Sequence, residues 1–225
     1  MNIFYLTTVS NNIMTYSAFC TTALIDKVVV ATTRNKVDDV IVTECESLGV
    51  SSFRGSEEDV LDRYYEAAKT FSADIVVRIT SDCPLIDPEI IDRVVHAFLD
   101  SSPDYASNTI MSTYPRGLDV EVFTYGALES AWLEASEDFQ HVHVTPYIYQ
   151  HPDRFKILSV TCDENCSNYR WTVDTKEDLD LIRAIYAKID RDDDFSWRDV
   201  LELLKIEPNI AEINCHIRQK SLEEC

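Results

Sequence analysis

Between Ala73 and Pro88 the chain reads ADIVVRITSDCPLIDP, and no other stretch restricts the possible folds as much. Ile75, Val76, Val77 and Ile79 make a short β-branched run, interrupted only by Arg78. Such a run predicts a strand buried on both faces, as in a parallel sheet. Thr80 and Ser81 end it, and Asp82 follows at once. Ligands of open parallel sheets bind beyond the carboxyl ends of the strands, so Asp82 stands where a metal or phosphate ligand is expected. The competing reading is a turn residue that accepts local backbone amides. Asp87 and Pro88 read as the N-cap and first residue of a helix.

The flanking sequence repeats the pattern. Asn2–Val9 predicts a strand and 13–24 a helix. KVVVATT, ending at Thr33, predicts a second buried strand. Val37, Val40, Ile41, Cys45 and Leu48 recur at helical spacing, and Gly49 stops them. A short strand at Ser51–Phe53 precedes a helix with Glu57 in an acidic first turn and Val60, Leu61, Tyr64, Ala68 and Phe71 on one face. Ile90, Ile91, Val94, Val95 and Phe98 mark the helix after Asp82. This β-α alternation predicts an α/β fold whose mostly parallel central sheet is flanked by helices.

The second half is more mixed. Strands are expected at Tyr105–Asn108, at Leu118–Val122 (half-exposed, from its alternation with Asp119 and Glu121), at Phe155–Val160 and at Arg170–Val173. Helices are expected through Leu128–Ala135, over Val142–Tyr149 despite Pro146, through Leu179, Ile182, Tyr186 and Ile189, and over Trp197–Leu204 after a charged RDDD turn. Residues 1–205 read as one domain and 206–225 as a peripheral tail.

Composition narrows the function. A chain of 225 residues with 45% hydrophobic content can bury a sizeable core. Its net charge of −20 and lack of a basic stripe argue against a nucleic-acid partner. No apolar run reaches the roughly 18 residues of a membrane helix. Seven cysteines without dense spacing suit a reducing, cytoplasmic setting better than a disulfide framework. Cys162 and Cys166 form a lone C-x3-C without a second zinc-type pair.

A second acidic stretch, WTVDTKEDL, places Asp174 directly after a predicted strand, as Asp82 is. Asp174 with Glu177, or Thr175 with Asp178, also fits a helix capping box. Mg²⁺ is commonly held by one or two carboxylates, with waters and substrate phosphates completing its shell. Two aspartates at two strand ends match that requirement.

RITSDCPLIDP, SNT, YPRGLDVEVF, HVTPYIY and RWTVDTKEDLDLI together resemble the spore coat polysaccharide biosynthesis protein F family, as do RGSEEDVLDRYYEAA and INCHIRQK. That family is grouped with the cytidylyltransferases that activate acidic sugars, such as the acylneuraminate and 3-deoxy-manno-octulosonate enzymes. The likeness runs from about residue 23 to 223. It implies a Rossmann-like nucleotide-sugar-transferase fold and transfer of CMP from CTP to a sugar acid, with release of pyrophosphate. It implies Mg²⁺ on Asp82 and on Asp174, where Lys176 replaces the usual proline of VDTPEDL. Gly55, Ser56, Asp59 and Arg63 then match the nucleotide site, although Arg63 equally suits a surface pair with Glu66 or Asp59. Arg78 is a catalytic ligand or a structural ion pair. Asn108, Tyr114, Arg116, Asp119, Glu121 and His143 match the acceptor-sugar region. Gly117 permits a tight turn there, and the H-x-H of His141 and His143 is also a metal candidate. The expected partners are CTP and a sugar acid, with no nucleic acid or membrane. A homodimer is the oligomer to look for.

One departure stands out. The family opens with a strand and a loop resembling QARMGSTRLPGK, whose amides, Arg and Lys clamp the triphosphate. Residues 1–25 contain no Gly, Lys or Arg, and none of the four glycines forms G-x-G-x-x-G or a P-loop. Charge-assisted hydrogen bonds contribute about 1.5–3 kcal/mol each, so losing two or three weakens phosphate binding roughly a thousandfold or more. An enzyme impaired by this loss is expected, with Asn2–Val9 still supplying the first strand, or else a sheet that lacks a central strand and is unstable or oligomeric; upstream in-frame sequence encoding a Gly, Arg and Lys-rich loop would restore the enzyme reading. The alternatives are a non-catalytic relative that binds a nucleotide or a partner and, third, a metal-dependent glycosyltransferase. The last needs a D-x-D at the strand end, where this chain has Ser81, Asp82 and Cys83.

Overall fold

The two β-branched runs do not pair with each other; the N-terminal segment lies between them. A computed structural model describes residues 1–7, 24–189 and 195–219. β1 (Ile3–Thr7) pairs in parallel with β2 (Lys27–Thr33) on one side and with β4 (Ile75–Ile79) on the other. β3 (Ser51–Gly55) extends this parallel half. Beyond β4 the sheet reverses. β6 (Glu121–Thr124) is antiparallel to β4 and to β5 (Tyr105–Ser107), and β7 (Ile157–Ser159) lies parallel to β5 at the edge. The order is β3-β2-β1-β4-β6-β5-β7.

Side chains alternate across this sheet into two cores. Ile3, Tyr5, Ile75, Val77 and Ile79 face α3 (Pro88–Ser101), α7 (Lys176–Lys188) and α8 (Trp197–Ile206). Phe4, Leu6 and Val76 face α2 (Val60–Phe71) and α4 (Tyr125–Glu134). Both faces of the β-branched runs are therefore covered, as their composition requires. Asp87 caps α3 through the Glu89 amide at 2.8 Å, and its second oxygen takes the Trp197 amide at 2.8 Å, tying α8 to α3.

Several expectations change in the folded chain. In α1 (Asp39–Leu48) only Ile41 and Cys45 are buried; Val40 is exposed, as is Val37 in the 3-10 turn Lys36–Asp38 before it, because this helix covers the sheet's β3 edge with a narrow stripe. Glu57 lies outside α2, which Asp59 caps. Leu118, Val120 and Glu121 are all buried, so the expected half-exposed strand is an interior one that begins only at Glu121. The helix expected over Val142–Tyr149 is broken into α5 (Asp138–His143) and α6 (Pro146–Tyr149), with Pro146 opening the second. In α7 the buried stripe is Asp178, Leu181, Ile182 and Ile185, whereas Leu179 is exposed. Arg170–Val173 is not a strand; it makes one bridge, Arg170 to Arg116. The segment expected to be peripheral buries Ile210, in α9 (Pro208–Ala211), and Asn214. The helix predicted over 13–24 and the RDDD turn fall outside the described residues, apart from Leu24.

The bridge at Arg116 depends on Gly117. The Trp171 amide donates to Arg116 O at 2.6 Å, and Gly117 has φ +102°. A Cβ there would lie 2.6 Å from Thr172 N and from the Trp171 carbonyl carbon. Gly117→Ala combines left-handed strain with a backbone clash, and is expected to destabilise the protein by about 2 kcal/mol or more in urea denaturation. Gly126→Ala, whose added Cβ would meet nothing within 4 Å, is the neutral control.

Candidate active site

All four parallel strands end on one edge of the sheet, and the loop after β4 carries Asp82 there. The Val173 amide donates to Asp82 O at 2.9 Å, and the Thr172 hydroxyl donates to Asp82 Oδ2 at 2.7 Å. Asp174 is the next residue, so the two acidic stretches run side by side. Among the described residues, Oδ1 of Asp82 meets only the Cys83 thiol, at 3.7 Å. Asp174 is half-exposed, and its Oδ2 accepts from Arg170 Nη2 at 2.5 Å. Thr175 and Asp178 form the capping box of α7, which leaves the Asp174 carboxylate free of capping.

Arg170, which was not among the site residues expected from the sequence, is the centre of this cluster. Its Nε and Nη2 grip Asp178 at 2.9 and 3.1 Å, and its Nη1 reaches Gln219 at 2.5 Å. Asp178 is fully buried. Burial pushes its carboxyl up, but hydrogen bonds from Arg170, Asn214, the Asp174 amide and Thr175 outweigh that and hold it at about 2. The signal in the sequence was the Arg itself, four residues before one acid and eight before another.

A second buried pair joins β4 to β6. Arg78 and Glu121 are cross-strand partners, and Arg78 Nη1 donates to Glu121 Oε2. The Tyr105 and Thr145 hydroxyls donate to Glu121 Oε1 at 2.7 and 2.5 Å. Thr145 reaches it because Val144 adopts φ +74°, ψ −56° in a γ-turn closed by the Thr145 amide on His143 O at 2.9 Å. Arg78 is therefore in a structural ion pair and also lies over the Tyr64 ring. Burial lowers its pKa, but Glu121 raises it by more.

The other candidates divide. Arg116 and Asp119 pair at 2.9 Å. Burial pushes the Asp119 carboxyl up, Arg116 offsets part of this, and Glu121 and Asp82 push it further up. The Asn108 amide braces Leu118 O and the Val120 amide, at 2.7 and 2.9 Å. Tyr114 is buried against Trp197 and Arg93, in the layer of α3 and α8. His141 pairs with Asp59 at 3.0 Å, and Asp59 also caps α2. Arg63 is 5% exposed and packs on Gly55, where a Cβ would meet its Cγ at 2.7 Å. Its Nη1 donates to Ser56 O at 2.5 Å, its Nε is buried without a partner, and it makes no ion pair among the described residues. The surface pair with Glu66 or Asp59 does not form.

Carboxylate oxygens are the donor type a hard divalent cation takes, with waters and substrate completing its shell. Asp82 and Asp174 each retain a carboxylate oxygen outside the strong hydrogen bonds, and among the described residues no cluster of three or more metal-ligating side chains exists to form a complete protein cage.

Two expected outcomes follow from these pairs. Glu121→Gln keeps an acceptor for Tyr105 and Thr145 but strands a buried guanidinium, so chemical denaturation should show a loss of ~3–5 kcal/mol, largely recovered in Arg78→Met/Glu121→Gln. Asp178, depressed from 3.8 to about 2, contributes stability above pH ~4 that is lost as the pH falls toward 2. The melting temperature of Asp178→Asn should therefore approach that of wild type in this acid range.

Comparison with known proteins agrees with this architecture. Residues 14–203 match the cytidylyltransferase family model. An uncharacterized protein of Methanocaldococcus jannaschii is 44% identical over 204 residues, which is 89% of this chain and 82% of that protein. The spore coat polysaccharide biosynthesis protein SpsF of Bacillus subtilis is 34% identical over 189 residues, 83% of this chain and 78% of its own. A solved cytidylyltransferase from Leptospira borgpetersenii superposes with a TM-score of 0.86 at 29% identity, covering 98% of each chain. Among the described residues no helix is long and apolar enough to cross a membrane. With its mixed, mostly parallel sheet, the family match over residues 14–203 and relatives that align with most of its length, the chain belongs to the cytidylyltransferase family.

Proposed function

We propose that this chain transfers CMP from CTP to a sugar acid for polysaccharide or glycan synthesis, releasing pyrophosphate, with Mg²⁺ held by Asp82 and Asp174. The observation that carries the reading is Arg63. A buried guanidinium costs several kcal/mol unless an anion or well-placed acceptors meet it, and Arg63 as a residue is 5% exposed with its Nε buried and unpartnered. Among the described residues Arg63 has only the Ser56 carbonyl, and it lies beside the last residue of β3, at the ligand edge of the sheet. A nucleotide supplies the missing acceptors, with Gly55 leaving room and Ser56 and Asp59 framing the same turn. Three strand spacings, about 14 Å, separate the β3 and β4 ends, so the base side and the carboxylate side lie apart as a nucleotide requires.

A bound Mg²⁺ supplies charge neutralisation at the transferred phosphoryl group. The chain's own part is to orient. Thr172 fixes the Asp82 carboxylate, and Arg116, held by Asp119, presents a partly exposed guanidinium to an acidic acceptor. Arg78 and Glu121 hold β4 and β6 in register beneath it.

A second reading, a nucleotide-binding relative without turnover, is favoured by the absence of Gly, Lys and Arg from residues 1–25. The two are separated by incubating the protein with CTP, Mg²⁺ and a panel of sugar acids. Acceptor-dependent pyrophosphate release is expected, abolished by EDTA and reduced on the order of a hundredfold or more in Asp82→Asn. CTP binding with no release from any acceptor supports the second reading instead. In calorimetry, Arg63→Met should bind CTP about ten- to a hundredfold more weakly, the value of one charge-assisted hydrogen bond. Unchanged affinity would remove the argument from Arg63.

A further inference from the structure

We infer that Arg170 is a positioning residue for Asp174, and that the C-terminal segment around Asn214 belongs to the site because it locks Arg170 in place. The inference rests on the reading that Asp174 holds a divalent cation.

Asp174 sits on a loop with its carboxylate 49% exposed. Left alone, such a side chain samples several rotamers and presents no fixed ligand geometry. Arg170 removes that freedom. Its side chain is 11% exposed, and both edges of its planar fork are occupied. The Nε edge is held by Asp178, and Nη1 is held by Gln219. The Nη2 that remains reaches both Asp178 and Asp174 Oδ2, so the position of Oδ2 is set by a group that cannot itself move.

The support continues outward. The Asn214 amide is buried and donates to Arg170 O at 2.9 Å and to Asp178 Oδ1 at 2.8 Å. Asp178 Oδ2 accepts the Asp174 and Thr175 amides at 3.1 and 3.0 Å, fixing the backbone that carries the ligand. Charge balance matters as well. Arg170 is shared by Asp178 and Asp174, so the three groups together keep one net negative charge toward a cation. A purely structural Arg170–Asp178 pair would need neither the contact to Asp174 nor the two anchors from the C-terminal segment.

The test is Mn²⁺ binding to the full-length, nucleotide-free protein, followed by electron paramagnetic resonance, with CTP binding in EDTA measured in parallel. Arg170→Lys keeps the charge but loses the fork. Asn214→Ala removes the outer anchor without changing charge. Both should weaken Mn²⁺ binding about 10–100-fold, the usual effect of losing a group that orients a ligand, while CTP affinity in EDTA is unchanged. If Asp174→Asn binds Mn²⁺ as wild type does, the metal assignment falls and this inference with it. If Asp174→Asn loses Mn²⁺ but Arg170→Lys and Asn214→Ala retain it, only the positioning role is overturned. Thermal melts accompany each variant, and if Arg170→Lys does not fold, Asn214→Ala decides.

Discussion

Three backbone hydrogen bonds hold the candidate site together: Arg116 N to Tyr169 O, Trp171 N to Arg116 O, and Val173 N to Asp82 O. They fasten a non-strand segment across the end of β4 and across the turn before β6. Asp82, Asp119 and Asp174 are brought together by that route, although they lie on three segments far apart in the chain. The bonds require a close approach at Gly117, where no side chain fits. Backbone pairing, rather than attraction between the charged groups, therefore assembles the acidic edge. Like charges would otherwise oppose it.

The charged groups are then handled in two ways. Arg78 and Glu121 are buried in the sheet, pair with each other and recruit the Tyr105 and Thr145 hydroxyls, although the Arg78 Nε is itself buried without a partner. A pair of this kind adds little net stability over apolar residues but is costly to break, so it fixes register between β4 and β6. The strained turn at Val144 is part of the same arrangement, since it delivers Thr145 to the pair. Arg63, by contrast, is buried with almost nothing to satisfy it. Two buried arginines, one in β4 and one in the helix α2, are held differently: Arg78 by an ion pair, Arg63 by a single carbonyl among the described residues.

The parallel half of the fold was legible in the sequence because its strands are β-branched and its helices amphipathic, and those two periods are local properties. Cap residues were equally legible at Asp87 and Thr175, where the capping side chain lies within three residues of the amide it serves. The antiparallel half was not. Alternation at Leu118–Val122 suggested a half-exposed strand, but Glu121 is drawn inside by Arg78, a partner 43 residues away. The apolar spacing at Val37 and Val40 suggested a buried face, yet an edge helix covers too little sheet to bury it.

The sequence by itself determined the fold class, the two aspartates that follow strand-like runs and the family likeness, because each is written in residues close together in the chain. Only the tertiary structure decided what those residues touch. It assigned Arg78 to an ion pair, Asn108 to bracing, Tyr114 to a different layer, and Arg170 with Asn214 to the surroundings of Asp174. Such assignments depend on partners tens of residues away and on which donors are left over once a side chain is buried. No local pattern carries that information.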